Sequence, residues 1–565
     1  MKLKSQINNV IKEAFSKAGI ENEPTSVSEA TKAEFGDFQF NGAMALSKKL
    51  GKNPRAIAAE VIENLDLTGV LAKAEIAGPG FINLWLNPFW LASQCEIARK
   101  DTRLGVEKRK IPIKVVVDYS GPNMAKQMHV GHLRSSIIGD TLANLLTYLG
   151  EEVIRQNHIG DWGTQFGMLI AYLEEMHEDG SVSLKDLEQF YKDAKGRFDA
   201  DEDFANKARE YVVKIQSGDN HCLELWQKFI DISLGHCEEV YEKLGVNLTR
   251  DDVRSESFYN DDLSSVVSDL DAKGLLTQSD GAQCVFLEGD EVPVIVQKGD
   301  GGYLYATTDL AALRYRAQIL GAKRISYVVD ARQAGHFKQV FKVAKEAGFV
   351  PADVNLEHIA FGTMMDKGGK PFKTREGGTV KLIDLLDEAV IKAKETINDK
   401  ELYSPEQLES LAKIIGIGAV KYADLSINRE SNYIFNWDKM LSFEGNTSLY
   451  MQYAYARIQS IFRKYDGPIK GDIVIGDALE HRLATMLLRF EGVLNRAAVD
   501  AAPNQITTYL YDLVTLFMRF YEQNPILKEG VDEATKMSRL SLADLTAKTI
   551  KQGLDILGIE VVDKL

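Results

Sequence analysis

Residues 113–149 read IKVVVDYSGPNMAKQMHVGHLRSSIIGDTLANLLTYL. Ile113 to Asp118 is a short, continuous apolar run closed by an acid, the pattern of a strand covered on both faces. A loop with Gly121-Pro122 follows, and the spacing then predicts a helix from about Gly131 to Leu149. Glu152 to Asn157 reads as the next strand, which makes strand, helix and strand a right-handed βαβ unit. The pattern returns further on. Gln283–Leu287, Val292–Gln297 and Tyr303–Ala306 read as strands, the last two joined by the turn 298–302. A helix from Asp309 to Leu320, a strand from Arg324 to Val329, a helix from His336 to Ala347 and a strand from Leu356 to Phe361 complete a second unit. Two such halves imply an α/β doubly wound, Rossmann-like domain whose ligand crevice lies beyond the carboxyl ends of its strands.

The loop between the first strand and helix carries the chemistry. His129 and His132 stand three apart at a helix start, so both imidazoles fall on one face. They join the free N–H groups and positive dipole end of the helix, where an anion binds. Gly131 between them permits close approach of a flat ring or sugar. This is a phosphate-handling arrangement without a Walker loop, since no G-x-x-x-x-G-K-[ST] occurs in the chain.

Around this core the sequence divides into three. Residues 1–110 read as an α+β module, with helical patterns at Ile7–Ala18, Gly42–Leu50 and Pro54–Leu65 and strands at Ala74–Ala77 and Phe81–Leu86. Residues 111–444 hold the α/β domain, with a charged helical insertion near 165–275. Residues 445–565 read as an all-α bundle. The 565 residues, 45% apolar and 26% charged, suit a soluble globular chain of several domains. No apolar run approaches the ~20 residues of a membrane span, and Met1 to Ala18 reads as an amphipathic helix rather than a signal peptide. The scattered Cys95, Cys222, Cys237 and Cys284 fit reduced thiols of a cytoplasmic protein. His221-Cys222 and His236-Cys237 lack compact zinc-ligand spacing, so packing is expected there and no protein-bound metal. The net charge of −15 argues against a generally polybasic nucleic-acid binder but leaves local patches open.

The run SGPNMAKQMHVGHLRSSIIGD, with GDWGTQF at 160–166, resembles the HIGH signature region of class I aminoacyl-tRNA synthetases, and of the arginyl-tRNA synthetases in particular. GDFQFNGAMALSKKL, GGYLYATTDLAA, KPFKTREGGTVKL, FEGNTSLYMQYAYARI and LTAKTIKQGLDILGIE extend the likeness along the whole chain in the same order. The resemblance implies ATP-dependent formation of arginyl-adenylate and pyrophosphate, then transfer of arginine to the 3'-terminal adenosine of tRNA(Arg). It also implies that tRNA must be bound for adenylate formation. His129, Gly131 and His132 then meet ATP, with Mg²⁺ on its phosphates. The second class signature, KMSKS, is missing from its expected place after the strand Leu356–Phe361. Lys370 or Lys373 in the loop there, or Lys126 before HVGH, is the candidate for its lysine. Lys536-Met537-Ser538-Arg539 is a chance match in the terminal bundle.

Matched onto the family pattern, Asp118, Tyr305 and Asp309 face the guanidinium of arginine, while Ser120, Asn123 and Gln333 hold its amino-acid end. A carboxylate suits a guanidinium because two parallel N–H···O bonds can form. For Asp309 alone, a helix N-cap is the other reading. The terminal bundle resembles the family's anticodon-binding domain, and its first helix interleaves aromatics with Arg457 and Arg463. Tyr450, Arg457 and Arg463 are therefore expected to meet RNA, as are Phe81 and Asn83 of the N-terminal module toward the D-loop. Basic residues near 48–55, 367–375 and 457–464 are the candidates for a positive track on an acidic body. A monomer is the family expectation. Intact HVGH, KPFKTR and arginine-site residues count against a catalytically dead scaffold.

Overall fold

The structure is a computed structural model, and it describes residues 3–124, 126–178, 187–370, 372, 380–397 and 400–565. It separates into two compact units, one made of residues 1–108, 442–555 and 560–565, the other of 109–441 and 556–559.

The second unit is built on four parallel strands: β1 (Lys114–Asp118), β2 (Glu152–Gln156), β3 (Arg324–Tyr327) and β4 (Asn355–His358), in the spatial order β4-β3-β1-β2. Val115, Val116 and Val117 are completely buried, as expected of a strand sandwiched between helices. Helix α1 (Val130–Leu149) joins β1 to β2 and ends on Gly150 in the left-handed conformation. Helix α2 (Tyr305–Arg314) runs into a π-helical turn, Tyr315–Ile319, before β3, and α3 (Ala334–Glu346) joins β3 to β4. The chain proceeds outward from β1 in one direction and from β3 in the other. The switch point therefore lies between β1 and β3, whose ends Asp118 and Tyr327 are register partners.

The insertion after β2 is helical as read from the sequence: Thr164–Glu178, Leu187–Ala200, Glu202–Gln216, Asn220–Leu244 and Asn260–Ala272. Two expectations change. The strand Ala282–Val285 pairs on one side with Leu276–Ser279 and on the other with Val294–Gln297 in their own antiparallel sheet, outside the parallel one. Tyr303–Ala306, expected as a strand, is the entry to α2: Leu304 is its N-cap, and the Thr307 N–H bonds to Leu304 O at 2.9 Å. The Tyr and Thr residues give this segment the texture of a strand, but the Thr307 hydroxyl bonds Val296 O and docks the helix start against the antiparallel sheet. Asp309 consequently lies one turn inside a helix and is not its cap.

In the first unit, strands Ser28–Glu29, Phe38–Phe40, Phe81–Leu86 and Leu71–Ala77 form an antiparallel sheet in that spatial order. Helix Pro54–Glu63 begins as its sequence dictates, with Asn53 accepting from the Arg55 N–H and Pro54 at the first position. The bundle comprises Ser448–Tyr465, Ala478–Leu488, Phe490–Asp500, Asn504–Gln523 and Glu533–Ile556. Within this unit His481 bonds the Asp37 carboxylate at 2.9 Å. Lys536 to Arg539 lie inside the last helix, with Met537 and Ser538 buried and Arg539 bonded to Glu480 at 2.9 Å. That is a packing role.

All four cysteines are free and buried. Among the described residues no cluster of three or more His, Cys, Asp or Glu side chains could hold a metal, and no helix is long and apolar enough to cross a membrane.

Candidate active site

The two signature histidines form a reciprocal cap. His129 is the N-cap of α1, and its Nδ1 accepts from the Gly131 N–H at 3.0 Å; His132 Nδ1 accepts from the His129 N–H at 3.1 Å. The ring centroids lie 4.1 Å apart. Burial and then the Lys126 charge lower the pKa of His129, while burial and then His129 push that of His132 down to about 3. Both rings are therefore neutral at pH 7. With Nδ1 accepting, the ring proton sits on Nε2, which leaves two neutral donors at a helix N-terminus. Gly131 answers a nearer constraint than ligand approach: a Cβ there would stand 2.6 Å from His129 Cε1.

The lysine loop is tied directly to this signature. The Val130 N–H bonds Val380 O at 3.1 Å, and the Leu382 N–H bonds Met128 O at 2.9 Å. The loop's other end pairs Met364–Met365 in parallel with Tyr433–Ile434. Arg134 of α1, completely buried, joins the two sides. It donates to Gly362 O at 2.7 Å and Ser431 O at 3.0 Å, and pairs with Asp424 at 2.9 Å. Asp366 to Lys370 closes as a tight turn through Asp366 N–H to Lys370 O at 2.7 Å, leaving Lys370 exposed. Lys373 lies outside the described residues. Lys126 is exposed, with its ammonium 4.9 Å from the centre of the Tyr191 ring.

At the switch point the geometry is more selective than the sequence. Asp118 ends β1 almost buried, and its Oδ2 pairs with Arg316 Nη2 at 2.8 Å. Arg316 comes from the π turn after α2, is fully buried, bonds Gln156 Oε1 at 2.6 Å and stacks 4.8 Å from the centre of the Tyr327 ring. Asp118 is thus already matched by an internal guanidinium. Asp309 Oδ2 accepts from His336 Nε2 at 2.6 Å, and the His336 ring sits 5.6 Å from that of Tyr305, itself 69% exposed. Tyr305 and Asp309, four apart on α2, share a face with His336 of α3.

Ser120 adopts a left-handed φ of 71°, unusual for a residue with a side chain. Its hydroxyl bonds Tyr241 at 2.7 Å and receives Ser136 at 3.1 Å, so it is engaged inside the protein. Asn123 is exposed, with its amide bonded to Gln165 of the GDWGTQF segment at 3.3 Å. Gln333 is exposed at the N-cap of α3. Arg316 and His336 escaped the sequence reading. His336 stands three residues beyond Gln333, a spacing that could have flagged it; nothing near Arg316 marks its partner on β1.

Of the residues expected to meet RNA, Phe81 is half-buried, and Asn83 is only 4% exposed because its amide oxygen receives Gln39 Nε2 at 2.7 Å. Tyr450 is half-buried, and Arg457 bonds the Tyr453 hydroxyl at 2.7 Å while lying over the Tyr521 ring. Arg463 is exposed and donates to Asp563 O at 2.8 Å.

Three family profiles match this chain: the class I tRNA synthetase (R) catalytic domain at residues 96–437, the DALR anticodon-binding domain at 451–565 and the arginyl-tRNA synthetase N-terminal domain at 1–86. The chain belongs to the arginyl-tRNA synthetases. It is 52% identical to the arginine–tRNA ligase of Alteromonas mediterranea and 54% identical to that of Chromobacterium violaceum, with both chains covered in full. The arginyl-tRNA synthetase of Plasmodium falciparum superposes with a TM-score of 0.86 at 30% identity over both whole chains. That of Thermus thermophilus, 24% identical, shares the fold with a TM-score of 0.84. The activity of this synthetase is accordingly that of an arginine–tRNA ligase of class I.

Proposed function

We propose that arginine lies at the switch point between β1 and β3 and that ATP lies along the HVGH signature and the lysine loop. The observation that supports this reading is the hydrogen bonding of Val380 and Leu382 to Val130 and Met128, which ties the chain that follows the lysine loop to the histidine signature. In the first step an arginine carboxylate oxygen bonds to the α-phosphorus of ATP, the bond from that phosphorus to the α,β-bridging oxygen breaks, and pyrophosphate leaves. In the second, a ribose hydroxyl of the terminal adenosine of tRNA(Arg) attacks the arginyl carbonyl. The ester forms, the hydroxyl proton is lost, and AMP departs.

Neither step asks the protein for a covalent intermediate, so its contribution is positioning and charge stabilisation. His129 and His132 give Nε2–H bonds to phosphate oxygens, and being neutral they do so without competing as charges for protons. Lys126, Lys370 or Lys373 meets the departing pyrophosphate as a point charge. Mg²⁺ enters on the ATP phosphates as part of the substrate and offsets their charge. Asp309, oriented by His336, accepts from the arginine guanidinium beside the Tyr305 ring. Asn123 and Gln333, both exposed, take the amino-acid end. Asp118 acts from below, holding Arg316, and Ser120 shapes the backbone rather than offering its hydroxyl.

The remaining parts follow the same reading. Residues 1–110 and 445–565 hold tRNA, the first through Phe81 and Asn83 and the second through Tyr450, Arg457 and Arg463, and residues 111–444 form the catalytic domain. The enzyme works as a cytoplasmic monomer. Kinetics of pyrophosphate exchange with tRNA present test the site: Asp309→Asn raises KM for arginine and spares that for ATP, and equal effects on both would refute the placement.

A further inference from the structure

The turn that follows β1 holds an unusual shape. Ser120 and Gly121 are both left-handed, with φ of 71° and 53°, and only the second is a glycine. Asn123 follows close behind them in the chain. Such a backbone persists only where its surroundings over-determine it.

Those surroundings come from one helix of the insertion, Asn220–Leu244. Its side chains Trp226, Ser233 and Tyr241 follow one another at about two turns and so fall on one face. Each grips a loop at the end of β1 or β2. Trp226 Nε1 donates to Asp161 O at 2.8 Å, the Ser233 hydroxyl donates to Met124 O, and the Tyr241 hydroxyl bonds Ser120 Oγ at 2.7 Å. Tyr241 also accepts from Asn157 Nδ2 at 3.0 Å, and Asn157 Oδ1 receives the Gly121 N–H at 3.0 Å. One phenol therefore reaches the left-handed turn at Ser120 directly and at Gly121 through Asn157. Tyr241 and Asn157 are 5% and 1% exposed, so a bond lost here leaves a buried polar group unpaired. The helix is itself fixed at both ends. Asp219 caps its start by accepting the Cys222 N–H at 2.9 Å, and the buried ammonium of Lys421 donates to Leu244 O at 2.6 Å.

We propose that Tyr241 is a positioning residue for arginine activation, holding the Ser120–Gly121 turn so that the arginine carboxylate lies within reach of the α-phosphorus. It touches no substrate and acts through the turn. The inference rests on the amino-acid end of arginine lying at Asn123. The HVGH cap is tied separately to Val380 and Leu382, so the effect falls on arginine placement rather than on ATP.

Tyr241→Phe in the full chain removes one oxygen and keeps the ring. In pyrophosphate exchange with tRNA present, kcat per titrated active site is expected to fall about tenfold, the scale of one hydrogen bond that holds the reacting geometry, with KM for ATP unchanged. A lowered melting temperature with wild-type kcat would make Tyr241 a packing residue and overturns the proposal. Ser120→Ala breaks the same bond from the loop side and leaves Tyr241 on Asn157. Wild-type kcat in that variant overturns the proposal however Tyr241→Phe folds. The double variant is expected to lose little more than the worse single one, and additive losses overturn the route through Ser120. If Asn123→Ala is silent for arginine, the placement of the substrate fails; if only Tyr241→Phe and Ser120→Ala are silent, the positioning role alone does.

Discussion

Asp118 and Arg316 close an ion pair of 2.8 Å beneath the switch point, one from the end of β1 and the other from a π turn. The pair converts the acid that ends the first strand from a free ligand into part of the crevice floor. Arg316→Met leaves Asp118 buried and uncompensated, and is expected to lower stability by about 3–5 kcal/mol. Adding Asp118→Asn is expected to restore most of that loss. Denaturant unfolding of the two single variants and the double variant checks this as a cycle.

The histidine cap predicts an acid-sensitive signature. The pKa of His132 falls from 6.5 to about 3 on folding, so the folded chain binds fewer protons than the unfolded one between those values. Its contribution is complete above pH 6.5 and is lost as pH falls toward 3. His132→Asn is expected to flatten the stability profile in that window, as read by melting at a series of pH values.

Gly131→Ala drives a methyl into the His129 ring, 2.6 Å away. A signature displaced by this much is expected to lose about 100-fold in pyrophosphate exchange, with KM for arginine little changed. Wild-type exchange rates would show that the cap tolerates movement.

Among the lysines, Lys370→Ala is expected to lower kcat by at least tenfold, the scale of one charged contact made in the transition state. Lys126→Ala with unchanged kcat removes that residue from the site and leaves the loop as the source of positive charge.

Much of the α/β domain was legible because its causes are local. Three consecutive valines closed by an acid mark a strand buried on both faces, and a glycine and two histidines mark the helix start beyond it. Where the reading failed, the determinant was distant in sequence. Tyr303–Ala306 has strand-like residues, but its Thr307 hydroxyl is captured by Val296 O and the segment folds as a helix. The pairing of Asp118 with Arg316, and of Asn83 with Gln39, cannot be read from either neighbourhood.

The formal charge of −15 confines RNA binding to local basic surface. Lys49 and Lys52 are partly answered by Glu23 and Glu60, whereas Lys48, Arg463 and Lys464 are exposed. The log of the tRNA association constant is expected to fall linearly with log salt, and Arg463→Ala to reduce the slope by about one. A salt-independent affinity would remove the electrostatic part of the account.

The central claim is that the crevice between β1 and β3 selects a guanidinium. Charging of bulk tRNA with each of the twenty amino acids in turn, in the presence of ATP, tests it most directly. Esterification by arginine alone is expected, abolished or displaced to high arginine concentration by Asp309→Asn. Equal charging by another amino acid, or arginine charging indifferent to Asp309→Asn, would contradict it.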